Sequence, residues 1–63
     1  MRTGIIESID IFHLEGVIID ENDQEIPFYL DSDHPTFKIS TKVYFEIHLT
    51  HRGLAAVHLK SYD

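Results

Sequence analysis

The chain has 63 residues, no cysteine and a formal net charge of −6, from 11 acidic and 5 basic side chains. A chain of this length forms one small domain that buries only about 60% of the surface exposed by its unfolded form. Since no disulfide can stabilise that domain, oligomerisation is the aid expected for so small a core. No signal peptide and no apolar run of membrane-spanning length is visible, so we expect a single domain over residues 1–63, in the cytoplasm and without a membrane partner.

The first predicted strand covers residues 3–11 and is rich in isoleucine, a β-branched residue that strands favour. Its isoleucines, Ile5, Ile6, Ile9 and Ile11, do not alternate strictly along the strand. That spacing predicts a β-bulge or a strong bend.

Residues 14–30 predict a β-hairpin with a polar turn at residues 20–24. Because side chains alternate along a strand, each face of the hairpin collects its own set. One face is predicted to carry Gly16, Ile18, Ile26, Phe28 and Leu30. The opposite face is predicted to carry Val17, Ile19, Pro27 and Tyr29.

Two further strands are predicted after a break at residues 31–35. The segment 42–49 alternates most cleanly, and its predicted inward side chains are Val43, Phe45, Ile47 and Leu49. A turn at residues 50–53 follows, in which Gly53 can take a positive φ. The last strand is predicted to direct Ala55, Val57 and Leu59 inward. Five short strands are too few for a sandwich with two good faces, but they can close into a small barrel.

The order of these elements resembles bacterial cold-shock proteins. The matching segments are Thr3–Ile6, Gly16–Ile18, Glu25–Phe28, Phe37–Lys38, Lys42–Ile47 and Arg52–Val57. The resemblance implies an all-β fold, a small five-stranded antiparallel barrel of the oligonucleotide-binding (OB) type. It also implies binding of single-stranded RNA or DNA, in which bases stack on aromatic side chains at about 1–3 kcal/mol per base.

Most of the aromatic platform of that family is missing from this chain. Ser8 stands at the expected Trp position, and Glu15 and Val17 replace two Phe residues of the second-strand motif. Pro27 replaces the leading Phe of the third-strand motif, and Tyr29 replaces its His. The resemblance therefore implies weakened binding, and the acidic net charge also opposes phosphate.

A smaller basic and aromatic set survives, and it is the predicted nucleic-acid-binding site: His13, Tyr29, Phe37, Lys38 and Arg52. Tyr29 and Phe37 would stack bases, while the cationic side chains would lie near the backbone. The competing interpretation is that Phe37 fills the barrel end and the cations are ordinary solvated surface.

A second function is predicted from the outward apolar face of the hairpin. Val17, Ile19, Pro27 and Tyr29 would form an exposed patch there, and such patches mark protein–protein contacts more often than base stacking. The barrel would then serve contact with another protein, or homodimerisation.

Metal binding and catalysis are not expected. The five histidines, His13, His34, His48, His51 and His58, show no recognised metal-ligand spacing, so we expect no metal site and no cofactor. No Gly-rich phosphate loop or nucleophile elbow occurs, and a barrel this small is filled by its own side chains. The sequence therefore predicts a non-catalytic binding module.

Overall fold

The computed structural model describes residues 1–30 and 37–61 of the chain. Five strands are present there: β1 (Arg2–Asp10), β2 (Glu15–Asp20), β3 (Glu25–Tyr29), β4 (Lys42–Thr50) and β5 (Gly53–Ser61). They close into a barrel in the order β1-β2-β3-β5-β4, which confirms the predicted five-stranded OB-type fold. The predicted break at residues 31–35, with His34, lies outside the described residues. Within them, no helix is long and apolar enough to cross a membrane.

One seam of the otherwise antiparallel barrel is parallel. Four strand pairs are antiparallel, whereas β3 and β5 run parallel and pair at Phe28 and Ala56. The reason is topological. Strand directions cannot alternate all the way round a closed ring of five, so at least one neighbouring pair must be parallel.

The core lies inside the barrel and uses the hairpin face that alternation predicts. Its fully buried large side chains are Ile6, Ile18, Phe28, Val43 and Phe45. Gly16 is also buried and pairs directly with Phe28 across the β2–β3 ladder. The Phe28 ring fills the space that a side chain at Gly16 would occupy. Gly16 therefore allows the close approach on which core packing depends.

The polar turn of the β2–β3 hairpin is organised by Asp20, a carboxylate that is only 4% exposed. Its Oδ1 accepts hydrogen bonds from the backbone N–H groups of Asn22 and Gln24, both at 2.9 Å. Its Oδ2 lies 3.5 Å from the Arg2 guanidinium. The turn is thus held by a buried side chain that satisfies two backbone donors.

Two β-bulges shape the barrel. The pairing of β1 with β2 shifts between Ile6 and Ser8, which confirms the bulge predicted in the first strand. The second bulge is in β5, where the pairing with β4 shifts past His58, a residue with φ of 57°. The sequence pattern did not predict this second bulge.

The bulge in β5 changes which side chains face the core. Ala56 and Leu59 pack into or against the core cluster, whereas Val57 lies opposite Glu46 and is half-buried. The prediction of Ala55, Val57 and Leu59 as one inner face is therefore wrong, although Ala55 is buried. A bulge places an extra residue in one strand, so the alternation reverses phase as it passes.

The outer end of the β4–β5 hairpin is not covered by other strands. Leu49, predicted to point inward, is 79% exposed and pairs with Leu54, which is 64% exposed. The pairing of β1 with β4 involves only Lys42–Phe45 of β4. The tip of the β4–β5 hairpin therefore extends beyond the part of β4 that pairs with β1, and its leucines stay exposed.

Candidate binding groove

The β4–β5 loop consists of His51 and Arg52, held between two paired residues. Thr50 pairs with Gly53, which has the predicted positive φ, at 100°. The Thr50 hydroxyl donates a hydrogen bond to the Gly53 carbonyl at 2.8 Å and accepts one from the Arg52 backbone N–H at 3.1 Å. These bonds fix the backbone from which the Arg52 side chain projects.

The β1–β2 loop, residues 11–14, is held by the carboxylate of Asp10. Asp10 Oδ1 accepts the backbone N–H groups of Phe12 and His13, at 3.0 and 3.2 Å. Asp10 Oδ2 lies 2.7 Å from His13 Nδ1. The carbonyl of Leu14, a residue with φ of 54°, accepts a hydrogen bond from the Leu30 N–H at 2.8 Å, which ties the loop to the end of β3.

The contact between Asp10 and His13 changes the pKa of both groups. The pKa of the Asp10 carboxyl is lowered below 3.8, and the largest cause of this shift is the side-chain hydrogen bond from His13. The same bond raises the pKa of His13 above 6.5. His13 therefore keeps a positive charge over a wider pH range than an isolated imidazole does.

These two loops, the end of β3 and β5 enclose an open groove of about 540 Å³, called here the loop groove. Its apolar wall is formed by Leu14, Leu30, Ala56, Val57 and Leu59. Its polar and aromatic side chains are His13, Tyr29, Thr50, His51, Arg52 and His58. Among the described residues that line the loop groove, none carries a carboxylate.

Within the loop groove, Arg52 lies over the aromatic ring of Tyr29. The guanidinium carbon is 4.7 Å from the ring centroid, within the range of a cation–π contact. The groove thus holds one half-buried aromatic ring and one permanent cation, with histidines around them. The groove lining itself includes no carboxylate, whereas Asp10 and Glu46 outside it contact two of its histidines, His13 and His58.

The structure brings together three of the five predicted nucleic-acid-binding residues: His13, Tyr29 and Arg52. The other two, Phe37 and Lys38, are not among the described residues that line the loop groove. Phe37 is half-buried and packs against the core, and Lys38 is exposed in a turn where its carbonyl accepts the Thr41 N–H at 3.1 Å. Their predicted role stays a prediction, at a different place on the barrel from the groove.

The predicted protein-contact residues lie on paired positions of β2 and β3. Val17 pairs with Pro27 on β3 and with Ser8 on β1, whereas Ile19 pairs with Ile5 on β1 and with Glu25 on β3. The face therefore holds two apolar pairs, each bordered by a polar residue. Val17 and Ile19 are half-buried there, and Pro27 is exposed. Tyr29 belongs to both surfaces, since it shares the outward face of β3 with Pro27 and also lines the loop groove.

Sequence reasoning missed several residues at this site. His51 and His58 line the loop groove, and the 90% exposed Phe12 lies next to His13 in the β1–β2 loop. An aromatic residue beside a turn was the available signal for Phe12. No such signal existed for His58, because its position depends on the bulge in β5. Near the groove, Glu46, His48 and His58 also form a separate cluster of metal-ligating side chains.

No protein-family model matches the chain, and no curated protein matches it. The resemblance to cold-shock proteins consequently stays a prediction.

Proposed function

We propose that this chain is a non-catalytic binding module that holds a short segment of single-stranded RNA or DNA in the loop groove. OB barrels bind oligonucleotides through the face of their second and third strands and through the loops that join strands 1–2 and 4–5. The loop groove lies between those same two loops, beside the end of β3. A cytoplasmic location is part of this proposal.

The observation that carries the proposal is the stacked pair of Tyr29 and Arg52 in a groove without carboxylates. A nucleic-acid base can stack on a tyrosine ring or on a guanidinium plane, while arginine also pairs with phosphate. His13, whose pKa is raised by its hydrogen bond to Asp10, adds a second side chain in the groove that can carry a positive charge. A half-buried ring next to cations is therefore suited to one stacked base and its flanking phosphates.

The same geometry limits the affinity. One aromatic platform contributes about 1–3 kcal/mol, which is far less than a strip of several rings. The contacts of Arg52 and His13 with phosphate are electrostatic and weaken as counterions are added. Binding is therefore expected to be weak, sensitive to salt and tolerant of sequence.

Fluorescence anisotropy of short labelled RNA and DNA oligonucleotides at low salt tests this proposal. Tyr29→Ala should weaken binding by about 5- to 150-fold, the equivalent of one lost stack of 1–3 kcal/mol. Arg52→Glu should weaken it further and lower its salt dependence. Lys60→Glu is the matched control, because it makes the same charge change on an exposed residue outside the groove lining. Equal losses from Arg52→Glu and Lys60→Glu would show that only the overall charge matters, and the groove assignment would then be wrong.

The second candidate is contact with another protein, or homodimerisation, through Val17, Ile19, Pro27 and Tyr29. The specific observation in its favour is two neighbouring apolar pairs on the outward face, Val17 with Pro27 and Ile19 with Ile5. Burial of that face would supply the apolar area that so small a core lacks. Light scattering of wild type and of Ile19→Asp distinguishes the two candidates. A dimer that Ile19→Asp dissociates, in protein that binds no oligonucleotide, would favour this candidate.

A further inference from the structure

Three side chains that commonly bind metals converge on the outward face of β4 and β5. One carboxylate oxygen of Glu46 lies 3.1 Å from Nδ1 of His58, and its other oxygen lies 3.5 Å from Nε2 of His48. One candidate ligand atom from each residue can be chosen so that all three lie within 4.8 Å of one another. The two imidazole rings meet edge to face, with centroids 5.3 Å apart. The cluster thus presents two imidazoles and one carboxylate to a single point on the surface.

The fold builds this cluster from neighbouring positions and one bulge. Glu46 and His48 are two residues apart on β4, so alternation places them on the same face. His58 comes from the bulge in β5, where its φ of 57° is unusual for a residue other than glycine. Bulges redirect side chains, and backbone strain of this kind clusters at functional sites. The bulge lets Val57 and His58 both face outward, so that His58 reaches Glu46.

The donor set, two imidazole nitrogens and a carboxylate, suits a particular class of metal ion. Zinc is bound by histidine nitrogen and carboxylate oxygen at about 2.0–2.2 Å, which in a tetrahedral site separates neighbouring ligand atoms by about 3.3 Å. With one ligand atom from each residue, all separations here are within 4.8 Å, so small side-chain rotations would bring the three atoms to that distance round an ion. Calcium and magnesium prefer sites made of oxygen ligands, which this cluster does not offer.

We propose that Glu46, His48 and His58 form a binding site for a divalent transition-metal ion, with Zn²⁺ as the ion that suits the ligand set. The side chains are 45–62% exposed, so an ion can enter from solvent without any opening of the barrel. Three protein ligands leave the fourth tetrahedral position to water or to another ligand. Such a site binds zinc more weakly than closed structural sites with four ligands.

The proposal is independent of nucleic-acid binding. His58 also lines the loop groove, whereas Glu46 and His48 are not among its described lining residues. A substitution at His48 consequently removes a proposed metal ligand that does not itself line the groove. Failure of either proposal can therefore be recognised while the other stands.

Calorimetric titration of Zn²⁺ into protein purified without a histidine tag tests the site. The wild type should bind one ion per chain, and His48→Ala and Glu46→Gln should each weaken binding by about tenfold or more. His51→Ala is the matched control, since it removes a histidine from the adjacent loop and leaves the cluster intact. Circular dichroism of each variant verifies that the barrel is folded.

A second measurement needs no variant. In ¹H–¹⁵N spectra of the wild-type histidine rings, Zn²⁺ should shift Nδ1 of His58 and Nε2 of His48 and leave the ring nitrogens of His13 and His51 in place. The proposal is overturned if no saturable one-to-one binding is seen. It is also overturned if His51→Ala weakens binding as much as His48→Ala does, or if Zn²⁺ shifts the His13 and His51 rings instead.

Discussion

Replacing Gly16 by alanine should destabilise the barrel more than any other single added methyl group in β2. A Cβ atom at Gly16 would approach the Phe28 ring far inside van der Waals contact, and it would lie 2.7 Å from the Ser8 carbonyl oxygen. The ring is fully buried, and Ser8 lies at the bulge where β1 changes register against β2. Neither neighbour can yield without disturbing the core or the strand pairing.

The magnitude follows from overpacking of a closely packed interior. Forcing an extra methyl group into such a core typically costs about 1–3 kcal/mol of stability. Because both neighbours of Gly16 are fixed in place, the expected cost of Gly16→Ala is at the upper end, about 3 kcal/mol. A domain of this length has a total free energy of unfolding of roughly 3–9 kcal/mol. The substitution should therefore remove a third or more of the stability and lower the Tm by about 10–20 °C.

Urea unfolding followed by far-ultraviolet circular dichroism measures this effect, since the chain has no tryptophan for fluorescence. A double-mutant cycle with Phe28→Leu assigns the cause, because a smaller side chain at position 28 relieves one of the two clashes. Gly16→Ala should cost at least about 1 kcal/mol less in the Phe28→Leu background than in the wild type. The same cost in both backgrounds, or a cost below about 0.5 kcal/mol, would refute the packing argument.

Three further predictions concern the turn of the hairpin, the pH response and the groove. Asp20→Ala leaves two backbone N–H groups of the β2–β3 turn without their partner, so urea unfolding should show a loss of about 2–3 kcal/mol; an unchanged midpoint would contradict the role of this carboxylate. The Asp10–His13 contact should stabilise the fold most between about pH 4 and pH 6.5. The pKa of His13 is raised above 6.5 in the folded protein, so its contribution is lost as pH rises through that folded pKa. The pKa of Asp10 is lowered below 3.8, so its contribution is lost as pH falls through that folded pKa. Thermal unfolding of His13→Asn, followed from about pH 4 to about pH 9, should therefore lack the wild-type decline above about pH 6.5, and parallel curves would disprove the coupling. Finally, Arg52→Gln should reduce the slope of log binding constant against log salt concentration by about 1, whereas Tyr29→Leu should leave that slope unchanged.

The local features of this barrel were predictable because they depend on neighbours along the chain. Alternation in the central hairpin placed Ile18 and Phe28 inside and Pro27 outside, since the two-residue period of a strand is a property of the backbone. The turn before Gly53 was likewise predictable, because its positive φ suits glycine. The irregular isoleucine spacing in the first strand indicated the bulge that is present at Ile6 to Ser8.

The site was predictable only in part, because its residues come from separate strands and loops. His13, Tyr29 and Arg52 were named from the resemblance to cold-shock proteins, and the structure brings them into one groove. The packing of Phe37 against the core agrees with the competing interpretation, in which it fills the barrel end, whereas nothing local to the chain left Leu49 exposed at the hairpin tip. Those outcomes depend on which strands cover which ends of the barrel.

What the sequence determined by itself is the class of fold: short amphipathic strands separated by turns, in a chain too small for any closed all-β architecture but a single barrel. What only the tertiary structure decided is the pairing between distant strands. The parallel seam at Phe28 and Ala56 follows from closing five strands into a ring. The bulge at His58 then sets which side chains of β5 face the core and which meet Glu46. A register shift of one residue is invisible in composition and period, yet it moves every later side chain to the other face.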